Sequence, residues 1–391
     1  VTCKMPSNRR GVTLSVIVLG SALCAVMLAY FVFGDTNDEQ GLRTLRMIFV
    51  LSRHGDRSPT ELYPNDPHIN YEWPGGLGAL SEKGTLQMYS AGKNLHMRYF
   101  RLLPSNGLYT KEEVFILSSA AERCLMSAQS LLAGFMPPLP NRNVLPIQWQ
   151  PIPVNSVPRD RDYLIAQKKP CPNYDNILKR LYINPPQDVR EMNIKNAAMY
   201  QYLTKHTGQN ISTILDVELL YNTLEIEQNN GLQLPDWTES VFPEKMLPIA
   251  ERSYTLFTET ALMKKVKGGA LVTEIYDNMV KKRNVLTPDR KIFLYLVHDV
   301  TLVNIMNSMN ILDQTSRKPS YAATLVFELH HSVIFEDDFE VKLVYYFDSE
   351  DKFPKEISIP NCSSPCSLTE FGKSVEHLLL RNYDETCGIF Q

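Results

Sequence analysis

In the segment Arg53-His54-Gly55-Asp56-Arg57-Ser58-Pro59, two guanidinium groups four residues apart bracket an imidazole. Arginine offers a planar fork of donors that stays charged and bonds bidentately to tetrahedral or carboxylate oxyanions. The imidazole beside it can act as a neutral nitrogen nucleophile, because surrounding positive charge keeps it unprotonated where a free histidine would be charged. Gly55 removes a side chain that would crowd a close approach to the backbone. Two other segments extend the set. SSAAERCLMSA (118–128) can bring Arg123 as a third positive arm, and LVHDVT (296–301) supplies His298 and the carboxyl of Asp299, able to hand a proton to a leaving group. Taken singly, Arg123 is an ordinary helix-surface residue and the His-Asp pair is weak evidence.

The elements around these residues place them together. Residues 45–52 form an apolar, β-branched run that enters the Arg53–Pro59 loop, and VFILS from Val114 and KIFLYLV from Lys291 are runs of the same kind. Each delivers one of the three segments at its carboxyl end, the edge at which ligands bind in an open α/β sheet. Ser81 is placed to cap a helix running to Phe100, with Leu80 as a hydrophobic staple. Helices are also predicted over 120–135 and 299–312. Seven prolines between Pro137 and Pro158 mark a connector, with one short strand expected at 147–150. ATLVFELH (323–330) and EVKLVYYF (340–347) supply two further strands.

Strands alternating with helices at both ends predict an α/β core over 45–159 and 290–387, interrupted by an inserted α-rich subdomain over 160–289. His330 and His331 are adjacent on a predicted strand, so they face opposite ways, and no third ligand is spaced for zinc. They read as structural, and no metal or cofactor is expected.

The chain has 391 residues, 44% apolar and 21% charged, enough for a real core. Forty Lys plus Arg against 43 Asp plus Glu give a formal charge of -3, so nucleic acid is not an expected partner and any anion must be held by a local cluster. Val12–Phe33 is an uncharged apolar stretch long enough to span a bilayer core, preceded by Lys4, Arg9 and Arg10. It reads as an uncleaved type II anchor or as a signal peptide with a long apolar region. Either way residues 1–11 are cytosolic, and everything after residue 34 is lumenal or extracellular. In that compartment Asn210 and Asn361 are glycosylation sequons. Cys362 and Cys366 can close a small loop there, leaving Cys171, Cys387 and Cys124 to compete for one further bond.

Together RHGDRSP, SSAAERCLMSA and LVHDVT resemble the histidine acid phosphatases of the histidine phosphatase superfamily, in their prostatic, lysosomal and insect venom style. LSEKGTLQMYSAGKNLHMRYF (80–100), GLQLPDW (231–237) and IPNCSSPCSLTEF (359–371) extend the similarity over residues 45–387. The resemblance implies a phosphoglycerate mutase-like core with a central, mainly parallel sheet flanked by helices. It also implies hydrolysis of small phosphomonoesters through a phosphohistidine on His54, with Asp299 as proton donor and Arg53, Arg57, Arg123 and His298 binding phosphate. Asp299 would have to be protonated before the first step. Two disulfides, Cys171–Cys387 and Cys362–Cys366, would leave Cys124 unpaired, and Ala323 stands where the family often has a cysteine of a third bridge. Homodimers are common in the family. Two alternatives remain beside this expectation: a phytase-like specificity, and a surface or secreted binding protein that has lost turnover.

Overall fold

The apolar run ending in Arg53 forms strand β1 (Leu45–Arg53), buried without interruption from Met47 onward. A strand with no exposed alternate position belongs inside a sheet covered on both faces. The computed structural model describes residues 42–286, 288–332, 334–335 and 338–389, and contacts group residues 46–391 into one unit. The 12–33 segment lies outside the described residues. Among those that are described, no helix is long and apolar enough to cross a membrane.

After β1 come helix α1 (Glu82–Tyr99), strand β2 (Val114–Ser119), helix α2 (Glu122–Phe135) and the short strand β3 (Asn155–Val157). A helical stretch follows, with α3 (Pro172–Ile183), α4 (Gln187–Lys195), α5 (Ala197–Thr207), α6 (Ile214–Asn229) and α7 (Leu247–Leu256). A helical turn at Ala261–Lys264 then leads into α8 (Ala270–Arg283). The chain returns through β4 (Ile292–Val297), α9 (Asp299–Ser308), β5 (Thr324–His331), β6 (Phe339–Tyr346) and β7 (Lys355–Ile357), and ends with α10 (Leu368–Val375) and α11 (Tyr383–Cys387). Ser81 caps α1 as its sequence position predicts, its hydroxyl accepting from the Gly84 amide.

The described strands form one seven-stranded sheet in the order β3-β2-β4-β1-β5-β6-β7. β1 pairs with β4, β4 with β2, and β2 with β3, all parallel, whereas the β5–β6 and β6–β7 pairs are antiparallel. The fold is therefore α/β with a mostly parallel central sheet. Its main core joins Phe49, Phe293 and Phe327 of the strands to Ile275 of α8 and Met306 of α9. A second apolar cluster lies among the helices, with Leu203, Val217, Leu224 and Ile249 packed around Tyr63. Disulfides join Cys171 to Cys387 and Cys362 to Cys366, and Cys124 is unbonded and buried.

One local expectation fails. Residues 147–150 make no strand; the Trp149 amide bonds back to the Ile147 carbonyl, and the Gln150 side chain is tied to Tyr109, Met136 and Gly107. Asn155–Val157 takes the strand role, because it is the part of the connector that runs alongside β2, Leu117 opposite Asn155. The predicted helix over 299–312 stops as an α-helix at Ser308, and Leu312 opens a separate 3-10 turn.

Candidate active site

Parallel register fixes where the three segments end. Arg53 on β1 lies opposite Val297 on β4, and Ser118 on β2 lies opposite Leu296, so residues leaving the carboxyl ends of all three strands emerge at one level. Arg53 reaches Asp299, Nη2 to Oδ2 at 2.7 Å, and its Nη1 donates to the Pro319 carbonyl. The guanidinium lies 4.2 Å over the Tyr321 ring. Arg57 and Asp299 line one small cavity of about 90 Å³. His54 and Arg53 are almost fully buried, at 2% and 4% exposure, so charges here act with little screening by water.

The proton positions on His54 follow from its neighbours. Nδ1 is 2.9 Å from the Gly55 carbonyl, which can only accept, so Nδ1 carries the hydrogen. Nε2 therefore keeps its lone pair, and the Arg123 Nε–H donates to it at 3.2 Å. The other face of Arg123 meets His298, with 3.5 Å between Nη2 and Nδ1. His298 is held from behind by Ser119, Nε2 to Oγ at 2.9 Å. The structure thus gathers two contact sets at one edge, Arg53 with Asp299 and Arg123 between His54 and His298, with the Tyr321 ring beside both Arg53 and His54 and with Arg57 at the border.

Gly55 permits the close backbone approach that its sequence position suggests, and the approaching backbone is that of Gly84. A Cβ there would lie 2.3 Å from the Gly84 carbonyl oxygen, and one on Gly84 would lie 2.2 Å from the Asp56 carbonyl oxygen. The two glycines let the loop press onto the first turn of α1. That contact is fastened by Ser81, whose amide donates to the Asp56 carbonyl and whose hydroxyl donates to the Asp56 carboxylate.

Burial lowers the His54 pKa well below the usual histidine range, and Arg53, Arg123, His298 and Arg57 push it further down. His298 falls to about 3 through burial and then Arg123. Both imidazoles are neutral even in acid. For Asp299, burial alone would raise the pKa, but Arg53 above all, with His54, Arg57 and His298, holds the carboxyl below the ordinary carboxylate range. Paired with Arg53, Asp299 is ionised, which reverses the expectation that it stands protonated before the first step.

Several residues here carry no sequence signal. The Tyr254 hydroxyl lies 3.4 Å from Asp299 Oδ2 and meets Asn222, which in turn bonds Glu218. Burial, then the Asp299 charge, pushes Glu218 up to about 7. Tyr321 comes from the segment before β5. Ser119 could have been found, since it ends the β2 run directly ahead of Arg123. Among the described residues no group of three His, Cys, Asp or Glu side chains is arranged to hold a metal.

The family model "Histidine phosphatase superfamily (branch 2)" matches residues 44–346. The chain belongs to that superfamily. The matched stretch of this histidine phosphatase contains β1 through β6 and all six residues of the cluster. Human (Homo sapiens) lysosomal acid phosphatase is 32% identical over 353 residues, covering 89% of this chain and 81% of the relative. Venom acid phosphatase Acph-1 of Apis mellifera is 30% identical over 351 residues, covering 88% and 87%. Among solved structures, the apo phytase of Hafnia alvei superposes with a TM-score of 0.63 at 16% identity, over 88% of this chain and 98% of that one. That likeness is one of fold.

Proposed function

We propose that this histidine phosphatase is an acid phosphatase that cleaves phosphate monoesters in two steps through His54. Arg53, Arg57, Arg123 and His298 take the phosphoryl oxygens, and their charge offsets the charge on the transferring group. His54 Nε2 attacks phosphorus as the ester P–O bond breaks, and the departing alkoxide takes a proton from Asp299. Water then attacks the phosphohistidine while Asp299, now a carboxylate, accepts its proton. Inorganic phosphate leaves and His54 is neutral again.

The observation that carries this reading is the His54 lone pair on Nε2, buried and facing Arg123. The ionised state of Asp299 sets a condition on the first step. A bound phosphoryl group competes for Arg53 and adds negative charge beside the carboxyl, so the proton arrives with the substrate or is taken up as it binds. Acid pH favours both routes.

Hydrolysis of p-nitrophenyl phosphate at pH 5 by the wild type and by His54→Ala tests the assignment. Turnover by the wild type with none in the variant is expected. A folded wild type with no turnover would favour the binding-protein alternative, and equal turnover in both would remove His54 from the chemistry.

The setting belongs to the same proposal. The apolar 12–33 segment, two disulfides and exposed sequons at Asn210 and Asn361 support a secretory-pathway protein, lysosomal or extracellular, with the catalytic part lumenal. Retention of a tag placed before residue 12 distinguishes an anchor from a cleaved signal. A homodimer is expected from the family resemblance, and sedimentation of the purified protein checks it. The separate apolar cluster among the helices supports an insertion in the 160–289 stretch, and packing of Ile275 on the sheet argues that the insertion ends before α8.

A further inference from the structure

A cavity of about 850 Å³ opens beside the phosphate site, with Arg53 and Tyr321 in its inner wall. Its size exceeds what one phosphoryl group needs, so it is where a leaving group would lie. The charges on its wall do not balance. Lys318 is in contact with Glu225, and Arg53 is committed to Asp299, so those charges pair off. Glu82, Glu251, Asp348 and Glu350 also line the cavity, and none of them has an ion-pair partner among the described residues. Lys83 is the lining cation set against them.

Two further features describe this wall. Asp56, 1% exposed, contributes to the wall a carboxylate whose Oδ2 accepts from Ser81 and whose Oδ1 has no hydrogen-bond donor among the described residues. The aromatic rings of the wall already receive cations: Lys318 sits 4.9 Å from the Tyr221 ring centre, and Arg53 sits 4.2 Å from that of Tyr321.

Resting on the phosphomonoesterase reading, we infer that this enzyme selects monoesters whose leaving group carries a positive charge. The anion-binding arginines gather at the Arg53–Arg57–Arg123 end, and the leaving-group end, where Lys83 stands against four carboxylates without ion-pair partners among the described residues, is net acidic. A polyanionic ester such as an inositol polyphosphate would place its remaining phosphates against Glu251 and Glu350, which weighs against the phytase-like alternative.

The test compares three aryl phosphates of matched size: 4-(ammoniomethyl)phenyl, 4-(hydroxymethyl)phenyl and 4-(carboxymethyl)phenyl phosphate. The methylene insulates the phenol, so leaving-group chemistry stays nearly constant. At pH 5.5 and low salt, kcat/KM should favour the cationic over the neutral ester by about fivefold and disfavour the anionic one by a similar factor, both ratios shrinking toward one in 0.5 M salt as screening shortens to a few ångströms. The double variant Glu251→Gln/Glu350→Gln should abolish most of the preference and leave hydrolysis of the neutral ester unchanged. Equal kcat/KM for all three, or a preference unmoved by salt and by the double variant, would overturn the inference while leaving the phosphatase reading intact. Failure to hydrolyse any of the three would overturn both.

Discussion

Two arginine–carboxylate pairs among the described residues, Arg98–Glu328 and Arg53–Asp299, are both largely buried and have histidines nearby, and they do opposite things. Under the antiparallel part of the sheet, Glu328 accepts from the Tyr99 hydroxyl at 2.7 Å and from Arg98 Nε at 2.9 Å, and its second oxygen meets His330 Nε2 at 3.1 Å. Both Glu328 oxygens are satisfied. At the carboxyl ends of the parallel strands, Arg53, Arg57 and Arg123 converge while the one carboxylate ion-paired among them, Asp299, is bonded to Arg53, and the buried Nε groups of Arg53 and Arg57 have no hydrogen-bond partner among the described residues. A satisfied cluster has nothing further to bind and serves the fold. A cluster left with surplus positive charge and a neutral nucleophile has a place for an anion. The difference is the sum of charges and free donors, since the residue types are nearly the same.

Altering the carboxylate in each cluster should separate their roles most clearly. Asp299→Asn should lower kcat on an alkyl phosphate by about 10²–10⁴-fold, and less on p-nitrophenyl phosphate, whose leaving group needs little protonation. An equal loss on both esters would remove Asp299 from the proton-donor role. Glu328→Gln should do the reverse, costing about 3–5 kcal/mol in urea unfolding and leaving kcat within about twofold. Glu328 is held down at about 2, by the His330 hydrogen bond and Arg98 against the opposing effect of burial. Its contribution is therefore present above the ordinary glutamate range and lost as pH falls toward 2, so the two proteins should converge in stability over that interval.

The pH response of His54 sharpens the contrast in the other direction. Its pKa is depressed in the folded protein, so the unfolded chain takes up a proton below about pH 6.5 that the native site refuses. The neutral buried imidazole thus costs stability in acid. His54→Gln should be more stable than the wild type by up to about 2 kcal/mol at pH 5, with no such gain at pH 8. A gain independent of pH would mean that His54 is not held neutral. The smallest expected effect is at Cys124, whose sulfur is 4.0 Å from both His298 ring nitrogens. Burial pushes its thiol up to about 12, so iodoacetamide at pH 7 should label it slowly in the native protein and rapidly in urea.

Much of the site was legible because parallel strands convert sequence order into position. Apolar runs ending at Arg53, Ser119 and Val297 bring their following residues to one edge, and the residue types there state the chemistry. What was missed comes from far along the chain. Tyr254 reaches Asp299 from α7, and no local pattern in a helical stretch marks one tyrosine as facing a carboxylate. The short strand at Asn155–Val157 was misplaced for a similar reason: three residues pair only because β2 offers an open edge. The ionisation of Asp299 could not be read from the His-Asp dipeptide, since it depends on Arg53, which is 246 positions away. β7, α10 and α11 lie beyond the last pattern strong enough to assign.

Turnover by the two-step route requires a covalent bond between phosphorus and His54 Nε2. Rapid mixing with a ³²P-labelled monoester at pH 5, quenching in alkali and peptide mapping test it directly. Label is expected on the peptide containing His54, stable to base and released by acid, and none in His54→Ala. Turnover with no trapped label on that peptide, or label on another side chain, would contradict it.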